Sequence, residues 1–202
     1  MTPNLRLEAA PPVADRSRPA VSPADRLMVR AQLGREPRGI VAVAARCSCG
    51  APLVVRTSPR LDDGSPFPTH YYLTHPAARK AIGSLESDGV MTEMNQALAA
   101  DPCLRGAYRA AHDRYLEARG RAGPVPEIEG ISAGGMPDRV KCLHALAAQA
   151  LAQGPGANPF GDQALVLIAD QWRPDRCGCT TASGTDASGG GHLGGREGSD
   201  GG

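Results

Sequence analysis

The chain has 202 residues, with 22 basic and 21 acidic side chains and a net charge of +1. Without a lysine/arginine block it lacks the basic excess of a dedicated nucleic-acid surface, so no nucleic-acid partner is expected. Its longest apolar runs, 40–45 and 164–169, are far too short to span a bilayer and no N-terminal apolar segment precedes them, so neither membrane insertion nor export is expected and the predicted location is the cytoplasm.

Residues 1–21 carry four prolines and no periodic apolar pattern, and 180–202 are almost entirely Gly, Ser, Thr, Ala and charged residues. Neither stretch buries enough apolar surface to offset the entropy of ordering, and both are predicted to be disordered tails. Residues 22–179 then form one domain. Only 3% of the chain is aromatic, so its core must come from Ala, Leu, Val and a few Met. Such a core gains little area per residue and depends on close helix packing or on a staple such as a metal.

In chain order, Ser22-Pro23-Ala24-Asp25 starts a helix, with a capping serine, proline in the first turn and an acid at the positive end of the dipole. That helix carries Leu27, Met28, Ala31 and Leu33 and stops at Gly34. The β-branched run 39–46 and the run 53–57 are strands, joined by the turn Cys47-Ser48-Cys49-Gly50-Ala51-Pro52, and 69–74 is a third strand. This reads as a small antiparallel meander with two cysteines at one tip. The period then changes. Residues 76–87 and 90–100 are helical, Asp101-Pro102 caps a longer helix to about residue 120, and the fourteen residues 123–136 form a loop of the length that is more often functional or mobile than merely connecting. A helix over 138–153, opened by Pro137 and Asp138, and a short one over 162–170 complete the domain. The predicted fold is α+β, a three-stranded antiparallel meander packed against four or five helices.

The chemistry-bearing residues are thiols and imidazoles. In a cytoplasmic chain the six cysteines read as thiols or metal ligands rather than disulfides. Cys47-Ser48-Cys49-Gly50 resembles a shortened zinc knuckle, because two thiolates on a tight turn can chelate one ion and the glycine frees the backbone to wrap it. Cys142 and His144 fall on opposite flanks of a regular helix, about 160° apart, so either one of them ligates or the first turn is distorted. The predicted metal set is Cys47, Cys49 and Cys142, with Cys177 or His144 as the fourth ligand. Zinc is the expected ion, and an iron–sulfur centre is the alternative, although the spacing matches no common cluster motif. Cys177-Gly178-Cys179 repeats the C-x-C spacing just after the single tryptophan, His144 could instead face His112, and Cys103 reads as packing.

Gly134-Gly135 ahead of a helix start, with Arg139 and Lys141, suggests an anion site at which backbone N–H groups face a phosphate or carboxylate. Residues 123–141 would then bind a small anion or a protein partner. The enzymatic alternative makes Cys142 a nucleophile with His112 or His144 as base, or leaves an open position on a three-ligand metal.

Four stretches carry a family resemblance: Arg30-Ala-Gln-Leu-Gly-Arg35, Ala45-Arg-Cys-Ser-Cys-Gly-Ala-Pro52, Pro66-Phe-Pro-Thr69 with Tyr71-Tyr-Leu-Thr74, and Gly135-Met-Pro-Asp-Arg-Val-Lys-Cys-Leu-His144. Over about residues 26–179 the chain resembles an actinobacterial family, domain of unknown function 501. The resemblance implies a bacterial cytosolic protein with no assigned activity, and it supplies no catalytic residues.

Overall fold

The computed structural model describes residues 21–176. The two predicted tails therefore lie outside the described residues, except Val21. The architecture is α+β: a three-stranded antiparallel sheet near the N-terminus and, among the described residues, six α-helices.

Helix α1 (Pro23–Leu33) begins as its sequence dictates. Ser22 Oγ accepts from Asp25 N, Pro23 occupies the first turn, and Gly34 closes the helix in the left-handed region. The buried residue of α1 is Val29, whereas Leu27 and Met28 are exposed. This corrects the predicted stripe. The helix lies over one sheet face, where Val29 joins Ile40 and Val55 in a small core.

Strands β1 (Ile40–Arg46), β2 (Pro52–Thr57) and β3 (Tyr71–Leu73) form the expected meander with β2 in the centre. Ile40 pairs with Thr57 and Arg46 with Pro52 on one side of β2, and Val54 with Leu73 on the other. Val55 belongs to the small core and Val54 to the large one, so the period of a central strand separates two apolar layers.

The large core lies between the sheet and α2 (Pro76–Ser87), α3 (Val90–Ala100), α4 (Pro102–Gly120), α5 (Leu143–Gln153) and α6 (Pro159–Leu167). Helix α5 is its centre. Leu143, Leu146 and every residue from Ala147 to Ala150 are buried, the all-round burial of a helix enclosed by other elements. Small residues permit this. At Gly161 of α6 a Cβ would overlap the carbonyl of Leu146, so only glycine lets α6 approach α5 this closely. Tyr108 of α4 packs edge-on against Phe160 of α6, with centroids 4.9 Å apart, so two of the few aromatics meet where these helices pack.

Two helix boundaries differ from the sequence expectation. Helix α5 begins at Leu143, with Cys142 extended at the N-cap, and residues 137–142 are not helical. The cause is tertiary. Asn95 of α3 donates through Nδ2 to Val140 O at 2.9 Å and accepts from Val140 N at 2.8 Å, holding that residue as a strand would. The Gly134 carbonyl takes the N–H groups of Lys141 and Cys142, at 2.8 and 3.3 Å. Helix α6 begins earlier than predicted, because Asn158 caps Gly161 N at 2.9 Å ahead of Pro159, the same Asx-Pro start as Asp101-Pro102.

The long loop 123–136 is latched. Buried Arg119, at the end of α4, donates to the carbonyls of Ile128 (2.7 Å), Ile131 and Pro68 (3.1 Å), and Arg60 forms a forked pair with Glu127 at 2.7 and 2.8 Å. His112 Nδ1 meets Ser132 Oγ at 2.9 Å. The loop length thus reflects a connection across the domain secured by two side chains of α4 and one from the segment between β2 and β3.

Candidate metal centre

The last turn of α2 points an acid toward the start of α5. Glu86 sits where the helix dipole disfavours a negative charge, yet it faces the positive N-terminus of its neighbour. Its Oε1 accepts from Leu143 N at 2.6 Å and from His144 N at 3.4 Å. Cys142 makes no side-chain cap bond, so the Glu86 carboxylate caps α5 in its place.

The other carboxylate oxygen, Oε2, lies 3.1 Å from His144 Nδ1. On the far side of the ring, Nε2 is 3.1 Å from the carbonyl of Arg79, one turn and more earlier in α2. A carbonyl can only accept, so Nε2 carries a proton and Nδ1 is the atom turned toward Glu86 and Cys142. One donor atom each from Glu86, Cys142 and His144 lies within 4.8 Å of the other two, and all three residues are half-buried. Among the described residues, no other three His, Cys, Asp or Glu side chains converge in this way. The hydrogen bond with Cys142, followed by the charge of Glu86, raises the His144 imidazole to about 9, against the opposing effect of burial. Beside these groups a cleft of about 320 Å³ opens between β3 and α5, lined by Thr69, Tyr72, Arg79, Cys142, His144 and Ala145.

The late start of α5 creates this arrangement. In a continuous helix from residue 138, Cys142 and His144 would diverge. With Cys142 extended and His144 the second helical residue, both reach the end of α2. Glu86 carries no motif spacing to residue 142. Its only trace in the sequence is an acid at the unfavourable end of a predicted helix.

The remaining site residues lie elsewhere. Cys47 is buried and Cys49 exposed in the β1–β2 turn, where Gly50 N donates to Cys47 O at 2.8 Å and Cys47 N to Ala51 O at 2.9 Å. The structure does not bring that turn into the three-donor set with Cys142. Cys177 and Cys179 lie outside the described residues. Cys103 is exposed at the start of α4, not packed as the sequence predicts, and His112 pairs with Ser132 rather than His144. Gly134 and Gly135 both adopt positive φ, and a Cβ on Gly134 would come within 2.5 Å of Leu146 Cδ2. The pair therefore turns the chain closely over α5. Arg139 and Lys141 are exposed, but the N-terminus they precede is that of a helix already capped by Glu86.

A three-stranded meander enclosed by helices, with a thiol, an imidazole and a carboxylate meeting at one helix start, defines an α+β protein with a candidate metal or thiol centre. The chain belongs to the family described as Protein of unknown function (DUF501), whose profile matches residues 43–166. That span includes Glu86, Cys142 and His144 as well as the Cys47–Cys49 turn. Neither the curated proteins nor the solved structures include a match to this chain. Among the described residues, no helix is long and apolar enough to cross a membrane.

Proposed function

We propose that Glu86, Cys142 and His144 bind one transition-metal ion, zinc by donor chemistry, and present it to the cleft between β3 and α5. The observation that carries this reading is the convergence of one sulfur, one nitrogen and one oxygen donor within 4.8 Å. Zinc accepts all three ligand types, and a site with three protein ligands keeps a fourth position for water or a small polar ligand. The environment of His144 agrees: Nε2–H held by the Arg79 carbonyl is the outer contact that fixes a ligating imidazole, leaving Nδ1 for the ion. In the metal-free protein a proton on Nδ1 takes the ion's place between Glu86 and Cys142, so metal uptake releases that proton. The bound ion would lower the pKa of a water in the cleft, where the Arg79 side chain is positioned to meet an anionic ligand.

The test is elemental analysis and cobalt substitution of the wild-type chain, Cys142→Ser and Glu86→Gln. The reading expects a cobalt spectrum with thiolate character that disappears in Cys142→Ser. A metal content and spectrum unchanged by both substitutions would exclude it. The close contact of Cys142 with a protonated His144 favours one second reading, a cysteine nucleophile served by that imidazole. Under that reading Cys142 alkylates rapidly in protein that has never held metal, and added zinc does not protect it.

A further inference from the structure

We infer that the cavity between the sheet, the end of α4 and the α5–α6 connection binds a small phosphomonoester, held chiefly by Arg114 and Arg56. The site contains none of Glu86, Cys142 or His144 and does not depend on the metal centre.

The cavity measures about 700 Å³, more than twice the cleft beside the metal centre and within the size range of small-molecule sites. Its wall on α4 is one stripe, because Arg114, Glu117, Ala118 and Arg121 stand at i, i+3, i+4 and i+7. Opposite, the central strand supplies Arg56. This residue pairs with Tyr71 and lies on the side of β2 that carries Val54, the side facing the large core. A charge there is costly in a packed core, and an apolar residue is the ordinary occupant. Here that side of β2 opens onto the cavity instead.

The polar groups are positioned by the protein itself. Arg114 Nη2 donates to the carbonyls of Gly156 and Ala157, at 3.2 and 2.8 Å, which fixes the guanidinium against the α5–α6 connection. Its Nε and Nη1 have no partner among the described residues. At the end of α5, Gln153 accepts from Gln149 Nε2 at 3.0 Å and donates to the Tyr71 hydroxyl at 3.2 Å, so the rim is ordered without a ligand. Asp162 is engaged by Gly156 N at 2.9 Å, and Glu117 pairs with Arg121. Three guanidinium groups against the one carboxylate of the lining leave a surplus of two positive charges, which concave walls of low dielectric concentrate. A phosphomonoester is close to a dianion at neutral pH, and its oxygens match the planar fork of arginine. The small side chains of Ala44, Ala118 and Ala152 leave apolar wall for the carbon body of such a ligand.

The experiment titrates the full chain with ribose 5-phosphate at constant ionic strength, followed by phosphorus NMR and calorimetry. Chelator-treated protein is used, so that phosphate binding to a metal at the Glu86 centre cannot contribute. Saturable binding at millimolar concentration or below is expected, with ribose inactive and succinate weaker. Arg114→Gln and Arg56→Gln should each weaken binding roughly tenfold or more, the scale of a lost hydrogen bond to a charged group. Arg121→Gln, at an exposed position where the fold loses only a surface ion pair, should weaken it a few-fold, while Arg26→Gln on α1 changes nothing. Absence of saturable binding by the wild-type chain overturns the proposal. So does binding that Arg114→Gln and Arg121→Gln leave unchanged, and a preference for succinate overturns the phosphate assignment. The wild-type titration and Arg121→Gln decide the matter even if Arg56→Gln does not fold.

Discussion

The two cysteine-bearing regions of this domain are built in opposite ways. The β1–β2 turn is local: Cys47, Gly50 and Ala51 close it with bonds among neighbours, and the pairing of β1 with β2 places it at the rim of the sheet. The start of α5 is assembled at a distance. Its capping carboxylate comes from 57 residues earlier in the chain, and Asn95 of a third helix sets where α5 begins. A knuckle written in consecutive residues survives small movements of the domain. A centre made by two helix ends exists only while those helices keep their separation.

This contrast is open to direct attack. The largest effect should come from Gly161→Ala, which puts a methyl group on the Leu146 carbonyl and forces α6 away from α5. A loss of about 2–4 kcal/mol in urea denaturation is expected for overpacking against backbone. Metal affinity at the Glu86 centre should fall with it, while alkylation at Cys47 and Cys49 stays as in the wild type. Glu86→Gln is gentler, because the amide oxygen still accepts from Leu143 N but the charge facing His144 and the helix start is gone. Roughly 1–2 kcal/mol should be lost, the scale of a hydrogen bond to a charged group.

The pH dependence of metal-free protein should come next in size. His144 is raised in the folded state, from the ordinary imidazole value to about 9, so its contribution is complete below pH ~6.5 and is lost as pH rises through about 9. Because the ring is 30% exposed, we expect roughly 1–2 kcal/mol between those limits, less than the full shift would give. Thermal melts across that window should show the decline, and Glu86→Gln should flatten it. The smallest effect should be that of Cys49→Ser in chelator-treated protein. This exposed position is expected to change stability by less than about 0.5 kcal/mol, against about 1 kcal/mol for Cys47→Ser, whose side chain is buried. Equal effects for the two would contradict the one-sided burial of the turn.

Much of this organisation is legible from local chemistry. The meander, its cysteine-bearing tip, and the starts of α1 and α4 follow from β-branched runs and from Ser22-Pro23 and Asp101-Pro102, where a few adjacent residues supply both the conformation and its cap. Asn158-Pro159 carries the same signal for α6, so that start too was within reach of the sequence. The face of α1 was not. Leu27 and Met28 are as apolar as Val29, and only the position of the sheet decides which of them is covered.

By itself, then, the sequence determined the α+β class, the order of elements and the residue types available for metal or thiol chemistry, because these depend on propensity and spacing over a few neighbours. The tertiary structure decided where α5 begins, which of its flanking groups converge, and that Glu86 is their partner. Val140 could have continued a helix by its own preferences. The hydrogen bonds of Asn95 and the capping charge of Glu86 come from other helices, and such groups act on residues 140–144 only once the core has packed.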